Sequence, residues 1–228
     1  MENISWTVIS LGGSLICPDR VDGDYVSAIS TLIRTRAEKG ERFAIITGGG
    51  KLCREYQDAL RKARTPSNDE LDWLGIYTTR YNAELLRLAI GDVAEPLIYL
   101  DPRELSLTGK SVLVGGGYEP GHSSDGAAVT LAKSLGAKNV INLSNIDYVY
   151  TADPRKDTTA TPIKASSWDD FRKLLPETWD PGFNAPFDPI AAKMAQELGL
   201  EVAVMNGKNL ENLSAYLDGK EFVGTVIR

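Results

Sequence analysis

Trp6-Thr7-Val8-Ile9-Ser10-Leu11-Gly12-Gly13-Ser14 is the stretch on which the fold turns. Its apolar and β-branched run predicts a buried strand over Trp6–Leu11, and two glycines end it. The same unit recurs twice. Phe43–Thr47 runs into Gly48-Gly49-Gly50, and Ser111–Val114 runs into Gly115-Gly116-Gly117. Helical patterns lie between the strands. Asp24–Lys39 places Val26, Ile29, Leu32, Ile33 and Ala37 on one face, and Gly40 ends it. A helix follows the glycines at 48–50. Ser67-Asn68-Asp69-Glu70 has the spacing of a capping box and opens a long helix through Ile90. Leu97–Leu100 reads as a further short strand.

The second half keeps the alternation. Ser124–Leu135 is helical up to Gly136, and Val140–Leu143 is a strand that Tyr148–Tyr150 extends or follows. Asp188-Pro189 starts another helix, with a capping carboxylate followed by proline at the first helical position. That helix reaches Leu198-Gly199. Glu201–Met205 is a strand, Leu210–Leu217 a short helix and Phe222–Ile227 a last strand. The polar, proline-bearing stretch Thr151–Gly182 reads as excursions from the sheet, outside the core. Alternating strands and helices predict an α/β fold: a mainly parallel sheet covered on both faces.

Composition narrows the chemistry. The chain has 228 residues and 24.8 kDa, one large domain or two small ones. Lys and Arg number 25 against 31 Asp and Glu, a net charge of -6, which disfavours nucleic acid as a partner. A single histidine, His122, argues against multi-histidine zinc sites. Cys17 and Cys53 lack CxxC spacing and are too few for a disulfide framework, so a cytoplasmic location is expected. The N-terminus has no signal-peptide pattern, no apolar run is long enough to span a membrane, and the C-terminus carries no lipidation signal. No metal site of protein ligands is expected.

Three strand-then-glycine units suggest backbone amides gathered at the carboxyl ends of strands, where α/β sheets bind ligands and a helix N-terminus accepts phosphate. A tight turn would explain any one cluster; three together suggest a large, phosphate-rich ligand or two ligands end to end. Standard phosphate motifs fail. Gly109-Lys110-Ser111 ends like a P-loop, but Glu104 stands where its first glycine belongs, and Pro120 stands where the third cluster would complete GxGxxG. Among charged residues near the clusters, Arg54 is either a phosphate clamp or a solvated arginine. Asp72 is either a ribose ligand or a surface acid. Asp125 follows the third cluster at a helix start, where an N-cap is the plain alternative. Lys193 sits among Ala191, Ala192, Met194 and Ala195, either functional or snorkelling.

Together these positions resemble the amino acid kinase superfamily, and within it the archaeal-type uridylate (UMP) kinases. The resemblance runs from Ile9 to about Ile227. It is carried by Leu11-Gly12-Gly13-Ser14-Leu15, Gly48–Tyr56, Gly75-Ile76 with Thr79-Arg80 and Asn82-Ala83, Pro120–Asp125, Asn145–Pro154 and Asp188–Lys193. It implies a three-layer αβα sandwich forming a single domain over 1–228. The acceptor-binding part would lie mainly in 1–135 and the ATP-binding part mainly in 136–228. The implied reaction transfers a phosphoryl group from ATP, with Mg2+, to UMP. Gly12, Gly13 and Ser14 would approach the ATP phosphates. Gly50 and Arg54 would hold phosphates near the junction. Ser144, Tyr150 and Asp153 would hold the rest of ATP. Gly49, Asp72 and the loop Tyr118, Glu119, Pro120, Gly121, His122, Ser123 and Ser124 would bind UMP. Lys193 would stabilise the transferring group, with Asp125 orienting the cations around it. A homo-oligomer, a hexamer built from dimers, is implied as well.

Departures from the family pattern bear on the acceptor. Ser10 stands where many members have lysine, and the archaeal-type enzymes resemble this chain in lacking that lysine. Tyr118 replaces a common threonine, Ser123-Ser124 a threonine pair and Tyr148 a glycine. They keep other acceptors, and a non-catalytic nucleotide- or oxyanion-binding protein on the same fold, as alternatives.

Overall fold

Side chains that alternate between two apolar layers build the sheet. In β1 (Trp6–Leu11), Trp6 and Val8 enter one buried cluster, while Ile9 and Leu11 enter another on the opposite face. The computed structural model describes residues 5–154, 156–175 and 186–228. After β1 come α1 (Gly13–Ile16), α2 (Gly23–Ala37), β2 (Arg42–Thr47), α3 (Gly50–Ala63), α4 (Asn68–Ile90), β3 (Val112–Gly115) and α5 (Ser124–Leu135). Then follow β4 (Asn139–Ser144), β5 (Val149–Tyr150), β6 (Pro162–Ile163), β7 (Ala165–Ser166) and α6 (Trp168–Lys173). The chain closes with α7 (Pro189–Glu197), β8 (Glu201–Asn206), α8 (Leu210–Leu217) and β9 (Thr225–Ile227).

The main sheet has the order β3-β2-β1-β4-β8-β9-β7. Strands β3, β2, β1, β4 and β8 are mutually parallel; β9 is antiparallel to β8 and pairs parallel with β7. Residues of α5, α6 and α7 fill the cluster on one face, and residues of α1, α2, α4 and α8 the cluster on the other. The fold is the expected three-layer α/β/α sandwich. Its strand order reverses between β1 and β4: β2 and β3 build outward on one side of β1, and β4 returns on the other. Open α/β sheets bind ligands in the crevice at such a reversal.

Local chemistry explains the helix ends. Ser67 Oγ accepts from Glu70 N–H, and the Glu70 carboxylate accepts from Ser67 N–H at 2.8 Å, completing the capping box. Gly136 ends α5 in the left-handed region at φ 64°. Asp188 caps α7 by accepting from Ile190 and Ala191 N–H, with Pro189 in the first turn.

Two expectations need correction. Leu97–Leu100 is not a strand. Pro96 offers no amide to a ladder, and contact with β3 is reduced to single bridges at Ala94 and Tyr99. The stretch Thr151–Gly182 is not wholly outside the sheet and core. Within it, β7 joins the edge of the main sheet, and Trp168 and Phe171 of α6 are buried in the main cluster. Strands of two residues carry no readable period, and two aromatic anchors suffice to seat a six-residue helix. Residue 155 and the part of that stretch from 176 onward lie outside the described residues.

Candidate functional site

A polar cluster sits at the strand-order reversal. Ser10 of β1 and Asn142 of β4 are register partners on adjacent strands, 2% and 6% exposed. Both donate to one oxygen of Asp125, in the first turn of α5: Ser10 Oγ at 2.9 Å and Asn142 Nδ2 at 3.0 Å. The other oxygen accepts the backbone N–H of Asp188 at 3.2 Å. Asp125 therefore acts as more than a helix cap; that task belongs to Ser123, whose Oγ accepts from Gly126 N–H. Enclosure of the Asp125 carboxyl pushes its pKa up to about 6. The hydrogen bonds from Ser10 and the Asp188 amide pull the other way, and the nearby Asp188 charge adds to the rise.

Sequence reasoning missed Ser10, Asn142 and Asp188 as members of this cluster. The signal was present in part: Asn142 is the polar residue inside the run Val140–Leu143, and Ser10 shares Trp6–Leu11 with Thr7 alone among polar residues. Asp188 was legible only as a helix cap.

The glycines have a structural cause of their own. A Cβ on Gly13 would lie 2.1 Å from Gly50 N, and one on Gly48 would lie 2.5 Å from Gly13 N. The first two glycine clusters thus interlock backbone against backbone, and Gly50 also needs φ +65°. Helix α4 braces both outer clusters. Asn82 Nδ2 donates to Gly48 O at 2.8 Å, Thr47 Oγ1 donates to Thr79 O, and Gly117 N–H donates to Thr79 Oγ1. Gly12, Gly13, Ser14, Gly49 and Gly50 consequently gather at the ends of β1 and β2. Arg54 lies exposed on the second turn of α3 and has no ion pair among the described residues.

Ser144 ends β4, and its buried hydroxyl has no hydrogen-bond partner among the described residues. Beside it, a cavity of about 540 Å³ is lined by Asp147, Asn206, Lys208, Asn209, Leu210 and Glu211 at the ends of β4 and β8. Asn206 Nδ2 donates to Asp147 across this cavity at 2.9 Å. Tyr150 lies on the small β5–β6 ribbon with its ring edge-on to Tyr148. The Asp153 carbonyl accepts from the amides of Lys156 and Asp157.

On the other side of the reversal, Asp72 of α4 accepts Gly121 N–H at 2.8 Å, tying that helix to the loop 118–122. Glu119, Pro120, Gly121, His122 and Ser123 follow at partly or fully exposed positions between β3 and α5, and the partly exposed Ser124 opens α5. Tyr118 does not present its ring to a ligand there. It is 7% exposed and belongs to the main core cluster. A tyrosine is long enough to turn inward and bury its ring, although it stands where the family commonly has threonine.

Lys193 lies on the outer face of its helix. Its side chain is 63% exposed on α7, and its ammonium faces Glu197 of the same helix at 4.0 Å. The small apolar neighbours Ala191, Ala192 and Ala195 are buried, which turns Lys193 to the opposite, solvated face. None of its contacts reaches Asp125.

Among the described residues there is no group of three or more His, Cys, Asp or Glu side chains able to hold a metal, and no helix is long and apolar enough to cross a membrane. Comparison with known proteins gives a consistent answer. The family model described as the amino acid kinase family matches residues 5–206. A uridylate kinase of Methanospirillum hungatei is 35% identical over 226 residues, covering 96% of this chain and 93% of that protein. One from Thermococcus onnurineus is 33% identical, covering 96% and 98%. Among solved structures, a uridylate kinase from Archaeoglobus fulgidus superposes with a TM-score of 0.82 at 32% identity, covering 97% of this chain and 99% of that one.

Proposed function

Because the chain belongs to the amino acid kinase family, we propose that it is a UMP kinase, transferring the γ-phosphoryl group of ATP to UMP to give ADP and UDP. The observation that carries this reading is the likeness, over nearly the whole chain and at 32–35% identity, to proteins named uridylate kinase. The acceptor binds mainly within residues 1–135 and ATP mainly within 136–228 of one domain.

Phosphoryl transfer asks the protein for in-line placement and charge neutralisation rather than covalent chemistry. Amides of Gly12, Gly13, Ser14 and Gly50 approach the phosphates, and Arg54 supplies a cationic fork. The Ser144 hydroxyl, Tyr150, Asp153 and the Asp147–Asn206 cavity take the base and ribose of ATP. Asp72 takes the UMP ribose, with Gly49 and the backbone of 118–124 shaping the rest of that site. The UMP phosphate is already ionised, so no general base is required, and His122 is not assigned one.

Mg2+ fits as an ion carried by the substrate. Mg2+ keeps phosphate and water ligands and takes one or two carboxylates. Asp125 and Asp188 meet at the reversal through the Asp188 backbone N–H, and among the described residues no third carboxylate, histidine or cysteine joins them to form a protein cage. Asp125 and Asp188 would face such an ion, which would supply positive charge to offset the negative charge of the phosphoryl groups. Asp125, fixed by Ser10 and Asn142, orients the cationic groups around the transferring phosphoryl.

The site of action is the cytoplasm, and the working form is a homo-oligomer, a hexamer built from dimers, whose dimer contact is a second copy of α4. Trp73, Tyr77, Tyr81, Leu85 and Leu88 form an exposed stripe along that helix. Scaled by exposures of 40%, 61% and 78%, the three rings at 150–250 Å² each present roughly 360 Å², and the two leucines extend this as the apolar part of the ~800 Å² per partner of a stable interface. Light scattering of wild type and Tyr81→Asp checks this, with a smaller particle expected for the variant.

A coupled assay of ADP release with UMP, CMP, AMP or no acceptor tests the activity. Turnover dependent on UMP is expected. ATP binding without acceptor-dependent turnover would favour a nucleotide-binding protein instead.

A further inference from the structure

We propose that Arg103 is a positioning residue for the acceptor site, holding the loop 118–122 in its binding conformation from outside; this rests on the function proposed above. The chain leaves the sheet at Tyr99, makes an excursion and returns at Val112. The base of this excursion is pinned by Glu95, only 2% exposed. Its carboxylate accepts the N–H groups of Thr108, Gly109 and Lys110 and the hydroxyl of Thr108. A carboxylate that receives four donors is stable as the anion although buried, and its pKa lies below the ordinary glutamate value.

The excursion carries Arg103 to the loop. Asp101 accepts the Arg103 backbone N–H at 2.8 Å and the guanidinium at 2.9 and 2.6 Å, which orients the side chain before it reaches anything else. The free edge of the guanidinium then donates to both oxygens of Glu119, at 3.1 and 2.9 Å. The guanidinium also lies 4.8 Å from the centroid of the Tyr118 ring. Tyr118 in turn packs at a tilt of 47° against His122, with ring centroids 4.9 Å apart. One arginine thus engages two consecutive residues of the loop, and through the ring a third.

Helix α4 holds the same loop from the other side, through Asp72 on Gly121 N–H and Arg80 on the Gly117 carbonyl. The loop is therefore strapped between a rigid helix and a pinned excursion. A lone exposed ion pair would contribute little. A fork shared by two carboxylates and seated on an aromatic ring fixes direction as well as charge, which lysine cannot reproduce.

The test uses Arg103→Ala and Arg103→Lys in the full chain. We expect Arg103→Ala to raise KM for UMP about five- to tenfold, in keeping with the modest energies of exposed charge and cation–π contacts. Turnover number and KM for ATP should stay within about twofold on the same grounds. Amide exchange at Tyr118–His122 should accelerate in the ligand-free protein while α4 stays protected. Arg103→Lys should fall between. Unchanged KM for UMP and unchanged exchange in folded Arg103→Ala would overturn the proposal, as would equal rises in KM for both substrates. Should Arg103→Ala fail to fold, wild-type exchange and KM in Arg103→Lys would overturn it alone. If wild type shows no UMP-dependent turnover, the functional reading fails, and the exchange measurement still decides whether Arg103 holds the loop.

Discussion

Replacing Asp125 by asparagine separates what this residue costs the fold from what it does for the reaction. The carboxyl titrates near 6 instead of the ordinary 3.8 because it is enclosed beside Asp188. At about 1.36 kcal/mol per pH unit, keeping it charged at neutral pH costs the ligand-free protein about 3 kcal/mol. The sign follows from proton binding. Between 3.8 and about 6 the folded state holds a proton that the unfolded state has released. Stability from this group is therefore full below the unfolded value and lost as pH rises through 6. Asparagine never ionises, so the variant avoids the loss. It can still accept from Ser10 or Asn142, but its amide nitrogen would confront the Asp188 N–H, returning about 1 kcal/mol. A net gain of about 2 kcal/mol corresponds to a Tm roughly 4–8 °C above wild type near pH 7.5. Around pH 4.5, where the wild-type carboxyl is already neutral, that gain should vanish. Turnover should fall about a hundredfold, as for removal of a preorganised electrostatic group. Paired melting curves at the two pH values and a steady-state assay make the measurement. A Tm difference that does not grow with pH, or retained turnover, would refute the reasoning.

Other consequences are simpler. Lys193→Ala should keep near wild-type turnover and stability within about 0.5 kcal/mol, as expected for a solvated side chain; a collapse in kcat would restore it to the site. Asp72→Ala should raise KM for UMP far more than KM for ATP, because it removes both the proposed ribose ligand and the anchor of Gly121 N–H; equal losses would undo the division into two sites. Gly13→Ala should destabilise by at least about 3 kcal/mol, since its Cβ would meet the Gly50 backbone rather than a movable side chain; a near-normal Tm would show that the two loops can part.

The sequence alone determined the central strands of the sheet, because a strand buried on both faces must be largely apolar along its length. Trp6–Leu11 and the helix ends at Ser67 and Gly136 were legible for that reason and through cap chemistry. It also determined the family, because the glycines, Asp72 and Asp125 recur in a readable order. Only the tertiary structure decided what converges. Ser10 and Asn142 are 132 positions apart, yet β1 and β4 set them side by side beneath Asp125. Lys193 and Tyr118 were read from their neighbours in the chain, and only packing shows that one side chain lies on the solvated face of α7 and that the other has its ring in the core. Arg103 carried no signal at all: its meaning depends on where an irregular excursion returns, and only long-range packing specifies that.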